Sequence, residues 1–168
     1  LKAYLDGNTE IFEAEDLLSV NAAKPWQILA ITFTNKAAGE LKERICKALG
    51  EEGNDVWAST FHSTCAKILR RHADEIGYTH NFTIYDTDDS KRAIKECIRK
   101  LGYDEKMIPV KSVMSQISKA KDVLVTPEEF IRTAVADIRL RKIGEVYAEY
   151  QKFLKAADAM DFDDLIVN

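Results

Sequence analysis

From Ile28 to Ile31 every position is apolar, and from Ala37 onward the apolar positions switch to helical spacing. The unbroken run Ile28-Leu29-Ala30-Ile31 predicts a short strand buried on both faces, as in a parallel sheet. Ala37, Ala38, Leu41, Ile45 and Ala48/Leu49 then mark one stripe of a helix, ended by Gly50 and Gly53. Val56-Trp57-Ala58 predicts a second strand. Phe61, Cys65, Ile68, Leu69 and Ile76 form the next helical stripe, closed by Gly77. The order is β-α-β-α, with crossovers long enough for parallel strands. Ahead of this unit, residues 1–6 read as a helix end stopped by Asp6-Gly7-Asn8. Residues 8–24 are polar and acidic and read as a loop or short helix, broken by Pro25.

Beyond residue 80 helical periods dominate. Phe82-Thr83-Ile84-Tyr85 predicts one more short strand. Asp86 can cap a helix over about 87–101, with Asp89 in its first turn and Gly102 as its stop. A helix over about 110–122 follows Pro109. Thr126-Pro127-Glu128-Glu129 is a start signal of three parts: Thr as N-cap, Pro at N1 and Glu at N3. Val125 and Phe130 can staple it. A long helix is predicted over about 137–157. A last one is capped by Asp161, with Asp164 at N3 and Met160 placed to staple Leu165. The fold class is therefore α/β: a partial parallel-sheet unit joined to a predominantly helical part.

Apolar residues make up 46% and charged residues 31% of the chain, which suits a soluble domain with a real core. No apolar run reaches membrane-span length. The acidic start "LKAYLDGNTEIFEAED" lacks the apolar region of a secretory signal. With no initiator Met, the chain reads as a piece of a longer protein. The three cysteines, Cys46, Cys65 and Cys97, show no metal-ligand spacing. They read as reduced thiols, which implies a cytoplasmic setting. The net charge of −4 is unevenly spread. Residues 1–64 carry 6 basic and 10 acidic groups, residues 65–121 carry 12 and 8, and residues 122–168 carry 6 and 10. A basic middle between acidic ends suits a local anionic partner, and ordinary surface scatter gives the same pattern.

Two turns carry the candidate chemistry. Thr32-Phe33-Thr34-Asn35 and Thr60-Phe61-His62-Ser63 each stand where a predicted strand ends and a helix begins. In open parallel sheets, ligands bind beyond the carboxyl ends of the strands. If the two strands are neighbours, both phenylalanines emerge on one rim, among hydroxyls, amides and helix N-termini that attract phosphate. An exposed ring beside such donors suits single-stranded nucleic acid, with a base on the ring and phosphate on the donors. The structural alternative is that the phenylalanines enter a core and the hydroxyls merely cap helices.

Five segments carry a family resemblance. "ILAITFTNKAAGELKERI", residues 28–45, closely resembles motif Ia of superfamily 1 DNA helicases of the UvrD/Rep/PcrA type. "STFHSTCAKILRR", 59–71, looks like the family's next motif. "NFTIYDTDD", 81–89, "ISKAKDVLVTPEEF", 117–130, and "MDFDDLI", 160–166, follow in the family's order and spacing. The resemblance implies a partial RecA-like domain 1A over 1–79, lacking the phosphate loop. It implies a helical 1B insertion over 80–157 and a return into 1A over 158–168. It implies that Phe33, Thr34 and Asn35 touch single-stranded DNA, with Phe33 as a base-stacking pawl. Thr60, Phe61, His62 and Ser63 would line the same track. The 1B part would approach the duplex junction, with Lys111, Lys119 and Lys121 on phosphate. For each lysine, a solvated surface position is the alternative.

The parent implied by the resemblance is an ATP-dependent 3′-to-5′ DNA helicase that uses ATP and Mg²⁺. The nucleotide-cradling pattern GxxxxGK[ST] is headed by none of the seven glycines, at 7, 39, 50, 53, 77, 102 and 144. In "DFDDLIVN" the acids precede the apolar residues, so the segment reads as a helix start and not as a Mg²⁺-binding strand end. A metal site of Asp161, Asp163 and Asp164 is the alternative to capping. The expected fragment binds no cofactor, hydrolyses no ATP by itself, and exposes strand edges that invite self-association. Residues 28–60 are expected to pair abnormally, pack against a second copy, or be partly disordered. A subunit of a helicase–nuclease, a motor-less DNA-binding or adaptor module, and a protein-docking role for the helical part remain open alternatives.

Overall fold

Parallel strands need a crossover, and the first part of the chain is built around one. The computed structural model describes residues 6–7, 22–134 and 136–168. The helix end expected over 1–6 and the loop or short helix expected over 8–24 fall almost wholly outside these residues. The chain divides into two compact units, Leu1–Phe61 and His62–Asn168. In the first, strand β1 (Leu29–Thr32) leads through helix α1 (Asn35–Leu49) to strand β2 (Trp57–Thr60). The strands pair in parallel, with Leu29 opposite Trp57 and Thr32 opposite Thr60. The pairing is regular, so of the three outcomes expected for residues 28–60 the abnormal pairing is not met.

The core of the first unit is thin. Leu29 is 47% exposed and Ile28 is 38% exposed, and Ala30 and Ile31 are only half-buried. The expectation of a strand buried on both faces is thus not met. With two strands in the sheet among the described residues, each strand has a neighbour on one side only. After α1 the chain returns through a 3-10 turn, Gly50–Asp55, that presses against the helix. A Cβ on Gly53 would lie 2.7 Å from Cys46 Cα, so only glycine allows this approach.

The second unit begins along helix α2 (Phe61–Arg71). The apolar stripe predicts a single helix reaching Ile76. Instead α2 stops at Arg71, and a 3-10 turn spans Ala73–Ile76. Strand β3 (Thr83–Tyr85) leads into helices α3 (Thr87–Lys100), α4 (Val110–Asp122), α5 (Pro127–Thr133) and α6 (Ile138–Ala156). The start signals operate as read from the sequence. Asp86 accepts from the Asp88 and Asp89 amides at 2.8 Å each. Thr126 Oγ1 accepts from Glu129 N at 3.2 Å, and Glu129 Oε2 accepts from Thr126 N at 3.1 Å. Gly102 ends the turn after α3 at φ +71°.

The unit closes on strand β4 (Ala159–Asp161) and the short helix α7 (Asp164–Val167). No sequence pattern announces β4. It pairs in parallel with β3, Thr83 opposite Ala159 and Tyr85 opposite Asp161. The main core joins α3, α4 and α6 through residues such as Ile94, Ile98, Val113, Ile117, Val146 and Tyr150. A smaller cluster holds Leu69, Ala73, Phe82, Met160 and Leu165. Helix α2, which follows the predicted β-α-β unit in sequence, therefore packs with the β3–β4 pair. Cys97 lies in the main core, where burial pushes its thiol up to about 11.

Candidate nucleic-acid interface

In the first unit, the parallel register puts the residues after β1 and β2 at the same end of the sheet. Phe33 and Phe61 follow those strands directly, and their ring centroids are 5.1 Å apart with a 35° tilt. Phe33 is 85% exposed and Phe61 39% exposed. The two rings thus occupy one rim, and neither is sealed in a core. Opening room for a base between them would take roughly twice the 3.4 Å stacking rise of a nucleic-acid strand. The rings are closer than that, so the face offered to a base is the outer face of Phe33, with Phe61 packed behind it.

The neighbouring groups divide between structural and available roles. Thr34 is the N-cap of α1, and its hydroxyl accepts from Ala37 N at 3.2 Å. It keeps its own O–H to donate. Asn35 is exposed in the first helical turn. Thr60, expected on the DNA track, is buried at the end of β2.

In the second unit, His62 and Ser63 are exposed at the start of α2. The His62 ring meets Phe162 edge-on at 5.7 Å. Lys111 and Lys119 are exposed on α4. Lys121 is not. It is 2% exposed, and its Nζ donates to Asp161 at 2.9 and 2.7 Å and pairs with Asp164 at 2.7 Å. Lys121 therefore cannot meet a phosphate at the surface, and it leaves the set of DNA candidates. The signal for its burial lies in its spacing: it stands four residues after Ile117 and eight after Val113, on the buried stripe of α4.

The cluster around Lys121 also settles what Asp161 and Asp164 do. Asp161 Oδ1 accepts from Asp164 N at 2.8 Å, and Asp164 Oδ2 accepts from Asp161 N at 3.2 Å. Tyr150 OH donates to Asp161 at 3.0 Å. The reciprocal Asp161–Asp164 bonds expected of a cap are present, but helix α7 starts at Asp164 itself, with Asp163 as its N-cap and no side-chain cap, so Asp161 is not the N-cap expected; a buried ammonium lies beneath the pair. Burial pushes the Asp164 carboxyl up to about 6, with the Asp161 carboxylate adding to the rise and the Lys121 ammonium opposing it. Burial also drives the Tyr150 hydroxyl well above its ordinary range, so it stays a donor. Among the described residues no group of three or more His, Cys, Asp or Glu is arranged to hold a metal ion. None of the helices among them is long and apolar enough to cross a membrane.

Phe162, in the second unit, becomes a candidate only through the structure. It follows β4 and precedes α7, so it repeats the strand–phenylalanine–helix order of Phe33 and Phe61, and it is 46% exposed. The sequence hides the repetition because β4 has no apolar run of its own.

By fold and site the chain is a mixed α/β protein, a partial RecA-like parallel unit followed by a mainly helical unit, with an unburied aromatic pair at the strand ends. The family model of the UvrD/REP helicase N-terminal domain matches residues 9–168, and the chain belongs to that family. It is 46% identical over 151 residues to the ATP-dependent DNA helicase PcrA of Bacillus subtilis (strain 168), covering 90% of this chain and 20% of that protein. It is 45% identical over 153 residues to the ATP-dependent DNA helicase UvrD1 of Mycobacterium bovis, covering 89% of this chain and 20% of that protein. PcrA of Staphylococcus aureus (strain Mu50 / ATCC 700699) matches at 43% over 151 residues. The chain thus spans 20% of the length of these relatives.

Proposed function

We propose that this chain is part of an ATP-dependent DNA helicase that moves 3′-to-5′ and that it supplies contacts to single-stranded DNA. The observation that carries this reading is the Phe33 ring, 85% exposed at the carboxyl end of a parallel strand. A folded protein gains nothing in stability from a ring left that open, whereas a nucleobase can cover it. Thr34 and Asn35 stand beside it to meet sugar or phosphate. His62 and Ser63 offer backbone contacts on the second unit, and Lys111 and Lys119 offer charge near the duplex junction.

In this reading residues 1–79 belong to domain 1A, 80–157 to the 1B insertion and 158–168 to the return into 1A. ATP and Mg²⁺ serve the parent protein. The chain has no GxxxxGK[ST] sequence to cradle a nucleotide, so by itself it neither hydrolyses ATP nor unwinds DNA.

The test is binding of a fluorescein-labelled oligothymidylate at low salt, for the chain and for Phe33→Ala. Loss of one stacked base should weaken binding by about 5-fold to 150-fold. The urea midpoint should stay unchanged, because the ring is exposed. Equal affinity of a fully folded Phe33→Ala chain would refute the assignment.

A further inference from the structure

The second unit holds a cleft of about 330 Å³ between the first turns of α3, the face of α4 and the Phe162 turn. Thr87 and Ser90 line it from α3, Met114, Ser115 and Ser118 from α4, and Phe162 from the turn after β4. Its size is at the lower end of small-molecule sites. Two features of its lining and one beside it bear on what it could hold. One is an aromatic ring, 46% exposed, held edge-on by His62 at 5.7 Å. Another is a set of hydroxyls. The last lies beside the lining: Lys111 and Lys119 stand one helical turn before and after Ser115, so all three share a face of α4, and both lysines are exposed.

We propose that this cleft is a second binding site for single-stranded nucleic acid, taking one nucleotide unit with its base on Phe162 and its phosphate on the α4 side. The proposal rests on the helicase reading above for the class of ligand. The placement follows from charge. Asp163 also lines the cleft and repels phosphate from the turn side. Asp161 reaches the cleft with its carboxylate already bound to Lys121 and Tyr150, so its charge is largely met from within. The α4 side, with Ser115 between two lysines, is where an anion is favoured. Base stacking on Phe162 reads no sequence, and the hydroxyls serve any backbone.

The experiment measures binding of a fluorescein-labelled oligothymidylate to the full chain at low salt. Phe162→Ala should weaken binding by about 5-fold to 150-fold, the range for removing a stacking ring. Phe162→Tyr should bind within about 2-fold of the unaltered chain, since it keeps the ring face. Ser115→Asp, on the exposed face of α4, places a negative charge in the cleft and should weaken binding at least about 5-fold by phosphate repulsion; it serves as the decisive variant if Phe162→Ala unfolds. Photocrosslinking of bromodeoxyuridine in the same oligonucleotide should label residues 160–165 or 114–119. Unchanged affinity in folded Phe162→Ala or in Ser115→Asp overturns the proposal, even where Phe33→Ala still weakens binding. Loss of binding in Phe162→Ala with none in Phe33→Ala keeps the cleft and removes the Phe33 contact. A chain that fails to bind the oligonucleotide at all overturns both.

Discussion

Lys121→Met is the sharpest perturbation of the second unit. Methionine keeps much of the lysine stem and removes the ammonium. In the folded chain that ammonium is 2% exposed and held at 2.9 and 2.7 Å by Asp161 and at 2.7 Å by Asp164. The cluster holds two carboxylates against one cation. Without Lys121, both carboxylates stay buried with no counter-ion, supported only by Tyr150 OH and each other's backbone amides. Breaking a buried pair by removing one partner costs about 3–5 kcal/mol. That is a large share of the roughly 5–15 kcal/mol that holds a typical domain folded. Asp164, already raised by burial, loses the ammonium that opposed the rise, so its pKa in the folded variant lies further above its unfolded value. The folded variant then binds more protons than the unfolded one, and its stability increases as pH falls from 7 toward 5. The assay is urea unfolding followed by circular dichroism at pH 7 and pH 5, with Lys119→Met as the control. The exposed control should shift stability by less than about 0.5 kcal/mol. The reasoning fails if Lys121→Met at pH 7 lies within about 1 kcal/mol of Lys119→Met, or if its deficit grows at pH 5.

Three other outcomes follow from the same geometry. The folded Asp164 carboxyl titrates near 6 and its unfolded counterpart near 3.8, so its contribution is complete below about pH 4 and is lost as pH rises through 6. Asp164→Asn should flatten the stability-against-pH curve in that window, and a curve of unchanged slope would count against the raised value. Gly53→Ala should destabilise the first unit by about 1–3 kcal/mol, because its Cβ meets the α1 backbone at 2.7 Å; faster hydrogen exchange over 45–60 is the measurement, and unchanged protection refutes the close approach. Replacing Lys111 and Lys119 by Gln should reduce the salt slope of single-strand binding by about 0.7 for each phosphate no longer neutralised, and an unchanged slope would return both to the solvated surface.

Local signals are legible wherever a few neighbouring residues decide the outcome. The Asp86 and Thr126 caps, the stop at Gly102 and the start of α4 after Pro109 depend on bonds spanning two to four residues. The same holds for β1 and β2, whose short apolar stretches stand on either side of a crossover helix. The readings that fail depend on partners far along the chain. Lys121 reads as surface charge beside Lys119 although its spacing puts it on the buried stripe, and the partners that hold it there, Asp161 and Asp164, lie 40 or more residues away. Strand β4 exists because β3 lies beside it, since three residues ending in aspartate carry no strand pattern of their own. Phe162 shares its setting with Phe33 and Phe61 only once that strand is known.

Composition and order alone determined the α/β class, the family to which the chain belongs, and the two phenylalanine turns as the place to look for a ligand. The class and the turns follow from periodicity and capping, and the family from five motif-like segments in order, all of them written in consecutive residues. Tertiary structure decided which side chains remain at the surface: Phe33 out, Thr60 and Lys121 in, Phe162 at the mouth of a cleft. Burial is a property of what packs across from a residue, and a linear pattern specifies the face of a helix or strand without specifying what will cover it.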